Sequence, residues 1–261
     1  MDRSLTVIIP NYNNAKGLEY LLSYFKEKPY KVTVVDNSKK NLGFAGGVNK
    51  GAEEVKTKWM LILNDDIEFK STNIQIPRSK QNPNYKSQIK NEETIQRLVQ
   101  FAEEMKLDAV SPILRNPNGK VENYGYNLLP IGKIELVKEI PRSKFQETNI
   151  DGITAACLLI RTEVFKKLGG FDEKFFAYLE DVDFFIRFKK AGYKFGIADI
   201  EVLHNHMTTS ETMGNLKARQ DMINWWRLYF KHPKKFKLDL SFIVERLRNV
   251  SGYVKESLKR N

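Results

Sequence analysis

The sequence predicts an α/β protein: a mainly parallel central sheet flanked by helices, followed by a C-terminal helical tail. Three observations carry that expectation. Short β-branched, apolar runs alternate with amphipathic segments over the first sixty residues, a polar proline-containing stretch interrupts them near residue 70, and helical periodicity with basic residues takes over beyond Ser210. With 41% hydrophobic residues in 261, the chain can bury a sizeable core, which excludes a wholly disordered protein.

"TVIIP" (Thr6–Pro10) is an apolar strand stopped by proline, and after the turn "NYNN" Leu18, Leu21, Leu22 and Phe25 recur at helical spacing. "KVTVV" (Lys31–Val35) is the second strand. The glycine-rich loop "NLGFAGGVNKG" leads to a short helix around Val48–Val55, and "WMLIL" (Trp59–Leu63) is the third strand. This rhythm predicts a parallel sheet with helices on both faces. Residues 70–92 read as an exposed insertion. A helix at about Glu93–Met105, a strand at "DAVSP", a turn at "NPNG", a central strand at "GITAACLLI" and the helix "TEVFKKL" follow. The tail holds the aromatic helix "ARQDMINWWRLYF", the basic segment "KHPKKFK" and a last amphipathic helix. We divide the chain into residues 1–215 and a basic, aromatic-rich extension, 216–261.

Lys and Arg outnumber Asp and Glu by 43 to 32, and the net charge of +11 suits anionic partners or serves solubility alone. One cysteine, Cys157, excludes an internal disulfide and a cysteine-based metal cluster. The start of the chain carries no secretory pattern, and no apolar stretch reaches the ~20 residues that span a bilayer. A protein of the cytoplasm, peripheral at the inner face of the cell membrane, is expected.

In open α/β sheets, ligands gather at the carboxyl ends of strands. Asp36 ends the second strand and Asp65-Asp66 the third. Asp36 alone is equally a turn former, but two adjacent acids repel unless a cation or a basic group joins them. Farther on, "FFAYLEDVDFFIRF" places three acids on a helix beginning near residue 180. Glu180, Asp183 and Arg187 share one face, with Asp183 and Arg187 neutralising one another as an i, i+4 pair. Asp181 falls beside Phe184, Phe185 and Phe188, where the helix dipole and desolvation pull its pKa in opposite directions. It is a candidate general base, or else a first-turn cap. His204 and His206 in "VLHNHMTTS" are candidate metal ligands.

Five segments in order, "VIIPNYN", "VVDNSKKNLGFAGGVNKG", "LILNDDIEF", "GGFDEKFFAYLEDVDFFIRFKKAGYKF" and "VLHNHMTTS", resemble the family 2 glycosyltransferases, particularly the rhamnosyl- and galactofuranosyltransferase-like branch. The resemblance implies a GT-A fold and metal-dependent, inverting transfer of a sugar from a UDP- or dTDP-sugar. The acceptor would be a hydroxyl of a glycan or lipid-linked molecule, in cell-surface polysaccharide synthesis. It implies donor contacts by Pro10, Tyr12, Asp36, Gly46, Gly47, Asn49, Asn64 and Asp65. Asp66, with asparagine replacing the first acid of the usual DxD, would bind Mn²⁺ or Mg²⁺ together with His204 and secondarily Asp65. Asp181 would be the base, with Glu180 and Thr154 near the acceptor. Alanine at position 155 departs from the glycine common in relatives.

Two other classes compete. A non-catalytic nucleic-acid-binding protein would explain the charge, but no motif of that kind occurs, so no specific nucleic acid is expected. A sugar nucleotidyltransferase would need a glycine-rich loop after the first strand, where "NYNN" stands. The tail segment "WWRLYFKHPKKFK" suits an anionic membrane surface, or else a helix packed on the catalytic domain with a solvated basic face.

Overall fold

A computed structural model describes residues 5–69, 94–139, 150–205 and 215–258; the expected insertion at 70–92 and His206 lie outside them. The N-terminal half alternates β1 (Leu5–Asn11), α1 (Ala15–Phe25), β2 (Lys31–Asp36), α2 (Gly43–Ala52) and β3 (Trp59–Leu63). Then come β4 (Ile67–Glu68), α3 (Thr94–Glu104), β5 (Ala109–Arg115), β6 (Val121–Asn123), β7 (Tyr126–Leu129), β8 (Lys133–Leu136) and β9 (Cys157–Arg161). The chain continues through α4 (Thr162–Lys167), a 3-10 turn (Glu173–Phe175), α5 (Glu180–Lys190), β10 (Phe195–His204), α6 (Asn215–Lys231) and α7 (Leu240–Leu258).

The central sheet runs β2-β1-β3-β9-β5-β10-β4, with β6 added on β5, and β7-β8 form a separate hairpin. β1 is parallel to β2 and β3, and β5 is parallel to β10. β9 runs antiparallel between β3 and β5. Apolar residues cover both faces. Val7, Ile9, Leu61 and Leu159 meet α1 and α3 at Leu21, Phe25 and Leu98. Ile8, Met60, Ile62 and Leu158 meet α2, α4 and α5 at Val48, Phe165 and Phe185. Burial on both sides is why these strands read as unbroken apolar runs rather than alternating ones. A third cluster joins Tyr126 and Val182 to Trp225, Leu228, Phe236 and Phe242, so α6 and α7 share a core with α5 and the hairpin.

Two expectations change. The glycine-rich segment is not a loop leading to a helix at 48; it is itself helical from Gly43. Its glycines serve close packing: a Cβ on Gly47 would stand 2.8 Å from Asn37 Nδ2 and 3.0 Å from Pro10 Cβ, and one on Gly51 only 2.4 Å from Ile8 Cγ2. The strand expected over "GITAACLLI" begins only at Cys157. The backbone before it hydrogen-bonds to scattered partners instead of one ladder: Tyr126 N–H donates to Gly152 O and Asn64 N–H to Ala156 O.

Candidate active site

The carboxyl ends of β1, β2 and β3 converge around Asp65. Asn11 Nδ2 donates to Asp65 Oδ2 at 2.8 Å, and Tyr12 N–H does so at 3.3 Å. Asn14 Nδ2 donates to Asp65 Oδ1 at 3.1 Å. Burial raises the Asp65 pKa to about 6; the Asn14 hydrogen bond opposes this and the charge of Asp66 adds to it. Both carboxylate oxygens are occupied by amides, so Asp65 clasps the turn after β1. The same turn is where a glycine-rich loop would stand in a nucleotidyltransferase.

Pro10, Asn37 and Gly47 lie together at the β1–β2–α2 junction. Asn37 Nδ2 donates to Gly43 O at 3.1 Å, while its buried Oδ1 has no hydrogen-bond partner. Asp36 is exposed at the end of β2 and accepts from Ser38 N–H at 2.8 Å; the Ser38 hydroxyl and then this amide hold its pKa below the usual carboxylate value. Gly46 faces Leu42 and Glu173. Asn49 is engaged elsewhere than expected: its Nδ2 donates to Phe171 O at 2.8 Å and its Oδ1 accepts from Phe171 N–H at 2.9 Å. Its amide therefore fastens α2 to the turn after α4.

Pairing of β4 with β10 sets His204 opposite Ile67 and so brings it to Asp66. Asp66 Oδ1 is buried without an aligned hydrogen-bond donor and lies 3.2 Å from His204 Nε2. On the other side of the ring, His204 Nδ1 is 3.1 Å from Glu122 Oε1. Burial acts against the imidazolium, but the contacts with Asp66 and Glu122 outweigh it and raise the pKa to about 9. Asn64 Oδ1, next in the chain, is also buried and unpartnered. Among the described residues no three His, Cys, Asp or Glu side chains are arranged to hold a metal by themselves. One carboxylate, one imidazole and the unpartnered Asn64 oxygen are a donor set that fits a hard cation sharing its shell with phosphates and water.

The third part of the site is the start of α5. Phe176, Tyr178 and Leu179 all have positive φ (56°, 67° and 68°), a strained approach to the helix. Asn224 of α6, fully buried, holds it: its Nδ2 donates to Phe175 O, Ala177 O and Tyr178 O at 2.8–2.9 Å. Asp181 Oδ1 accepts from Val182 N–H at 2.8 Å. Burial raises its pKa to about 6 against the hydrogen bonds of the Val182 and Ala155 amides. Tyr126 Oη lies 3.5 Å from the Asp181 carbonyl oxygen. Thr154, beside Ala155, accepts from Ala156 N–H at 3.3 Å.

The other two acids are both buried, Glu180 at 7% exposure. Burial and the neighbouring Asp181 charge push its pKa well up, and its Oε2 has no partner. Asp183 is fully buried and belongs to more than an i, i+4 pair. Arg187 Nε reaches it at 2.9 Å, His232 Nε2 at 2.8 Å and Lys231 Nζ at 2.9 Å. Phe184, Phe185 and Phe188 pack against one another and, in part, Phe165, Phe171 and Phe195 as core. Asn37 stood in plain sight beside Asp36. Glu122, Tyr126 and Asn224 gave no sequence signal, because only tertiary contacts give them a role.

Residues 7–76 match the sequence family described as glycosyl transferase family 2, and residues 138–211 match the N-terminal domain of galactosyltransferase. The N-acetylglucosaminyl-diphospho-decaprenol L-rhamnosyltransferase of Mycobacterium tuberculosis is 34% identical over 93 residues, 31% of this chain and 30% of that protein. The low-salt glycan biosynthesis hexosyltransferase Agl10 of Haloferax volcanii is 24% identical over 229 residues, 77% of this chain and 67% of that one. Among solved structures, the mannosyltransferase PcManGT from Pyrobaculum calidifontis, in complex with GDP-Man and Mn²⁺, superposes with a TM-score of 0.53 at 14% identity. It covers 86% of this chain and 64% of that chain. TarS of S. aureus does so with 0.52 at 13% identity, covering 97% and 43%.

Proposed function

We propose that the chain, which has a GT-A fold, is a family 2 glycosyltransferase and that it transfers a sugar, with inversion, from a nucleotide-diphosphate sugar to an acceptor hydroxyl. One observation carries the reading. The turn before β9 links the two halves of the site: Asn64 N–H donates to Ala156 O at 2.9 Å, while the adjacent Ala155 amide addresses Asp181. The buried oxygens of Asn64 and Asp66 and the base are thereby held on one framework.

Asp181 takes the proton of the acceptor hydroxyl as that oxygen forms a bond to the anomeric carbon. The bond from that carbon to the nucleoside diphosphate breaks, and its electron pair leaves with the phosphate. Attack opposite the leaving group inverts the configuration. Asp66 and His204 would hold a divalent ion, with His204 giving up its proton to ligate and Glu122 orienting the ring from behind. When bound, Mn²⁺ or Mg²⁺ would offset the charge of the departing diphosphate. Pro10, Tyr12, Asp36, Asn37 and Gly47 surround the place for the nucleoside. The donor would be a UDP- or dTDP-sugar and the acceptor a glycan or lipid-linked molecule in cell-surface polysaccharide synthesis; the name of the matched rhamnosyltransferase, with its diphospho-decaprenol-linked sugar, supports the lipid-linked acceptor.

No helix among the described residues is long and apolar enough to cross a membrane. A peripheral contact would fall to α7, whose outward side exposes Leu240, Leu247, Val254 and Leu258. We test the function with a panel of UDP-, dTDP- and GDP-sugars, reading thermal shift and hydrolysis. One donor should be turned over with Mn²⁺ or Mg²⁺, and EDTA or Asp66→Ala should remove the turnover. Full activity in EDTA would end the metal assignment, and no response to any nucleotide-sugar would end the transferase reading.

A further inference from the structure

A cavity of about 230 Å³ opens between β7, α5 and the turn joining α6 to α7. Leu128, Val182 and Ile186 give it an apolar side, and Lys189, Lys234 and Lys235 give it cations. Lys189 is neutralised, its Nζ lying 3.2 Å from Asp151 Oδ1. Lys234 and Lys235 have no acidic partner among the described residues, although the turn that carries them is fixed at both ends. His232 Nε2 meets Asp183 at 2.8 Å on one side. On the other, Lys237 N–H donates to Pro130 O at 2.9 Å, and Phe236 between them is buried in the third core cluster.

Adjacent ammonium groups on a rigid turn repel one another unless an anion completes the arrangement. A phosphate oxyanion can accept from both, while the apolar wall takes the carbon skeleton it esterifies. The cavity also borders the helix that carries Asp181. Val182 follows Asp181 in the chain, and Tyr126, another lining residue, reaches within 3.5 Å of the Asp181 carbonyl.

We propose that this cavity is the acceptor subsite for a phosphate or diphosphate ester, with Lys234 and Lys235 as the cations that seat it. The assignment of the ester as acceptor rests on the transferase reading. The anion site itself can be tested apart from it.

Binding of farnesyl diphosphate and of inorganic pyrophosphate is measured by calorimetry in EDTA, which keeps divalent ions out of the Asp66–His204 site. Both probes should bind the wild-type chain, and Lys234→Ala/Lys235→Ala should weaken both by roughly tenfold or more. The charge-retaining pair Lys234→Arg/Lys235→Arg should preserve binding. Tighter binding of the farnesyl ester identifies a lipid-borne phosphate as the source, and equal binding identifies a free phosphate compound. Either supports the subsite. Undiminished binding by the alanine variant, with an unchanged melting temperature, overturns it. So does binding of phosphatidylglycerol vesicles that depends on the lysines while neither soluble probe binds. Hydrolysis of nucleotide-sugars by the wild-type chain without acceptor tests the transferase reading separately. If that fails while the probes still bind, the reaction assignment falls and the anion site stands.

Discussion

Asp181, the base of the proposed reaction, sits under two opposed influences. Its burial would favour the neutral form, and the Val182 and Ala155 amides pull back toward the anion, leaving a pKa of about 6. A base must be deprotonated to act. Transfer should therefore fall as pH drops through about 6, well above the ~3.9 of an ordinary aspartate. Asp181→Asn should lower turnover by roughly 10²–10⁴-fold at every pH, with the fold intact by circular dichroism. An unchanged rate, or an acidic limb that survives in the variant, would give the proton to another group. At the neighbouring Glu180, burial and the Asp181 charge push the pKa well above the usual carboxylate value.

Among the elements, α2 departs most from ordinary helix chemistry. Its ten residues include Gly47 and Gly51 where the helix lies against β1 and the end of β2, and Gly46 where it faces Leu42 and Glu173. Alanine in a helix is favoured over glycine by about 1 kcal/mol, so only close packing explains the choice. At Gly51 an added Cβ would meet Ile8 Cγ2 at 2.4 Å inside the core. Gly51→Ala should therefore destabilise by about 1–3 kcal/mol in urea unfolding despite its better propensity. Gly47→Ala pushes instead on Asn37 and Pro10 and should weaken nucleotide-sugar binding more than it lowers stability. Equal effects of the two substitutions on binding would deny the β1–β2–α2 junction its place in the donor site.

Across the whole molecule, the C-terminal helices hold the catalytic helix in place. Asn224 secures the strained approach to α5, and Lys231 and His232 reach Asp183 one turn into it. Removing the buried anion by Asp183→Ala leaves Arg187, Lys231 and His232 facing one another. The expected cost is about 3–5 kcal/mol in chemical denaturation. Burial alone would raise the Asp183 pKa, but the His232 hydrogen bond, the Arg187 charge and Lys231 together hold it below the usual value. Its contribution is thus present above the unfolded pKa of ~3.9 and is lost as pH falls through the lower folded value. Stability of the alanine variant should depend less on pH in that acid range. An unchanged acid dependence would show that the cluster is not ionised as drawn.

The alternation of strands and helices, the acids at the ends of β2 and β3 and the helix beginning at Glu180 were legible because they are local. Period, punctuation and side-chain chemistry lie within a few residues of one another. The sequence by itself also offered Asp181, Asp66 and His204 as candidates, and the proposed reaction is built on them. Tertiary structure alone decided what their neighbours do. Asp65 became a clasp because Asn11, Tyr12 and Asn14 fold back onto both its oxygens. Asn49 was taken by Phe171, and Asp183 by a helix end almost fifty residues away that no helical wheel contains. The physical reason is the same in each case. A hydrogen bond or ion pair between distant segments leaves no period in the chain, and burial sets a carboxylate's charge only once the whole core has closed around it.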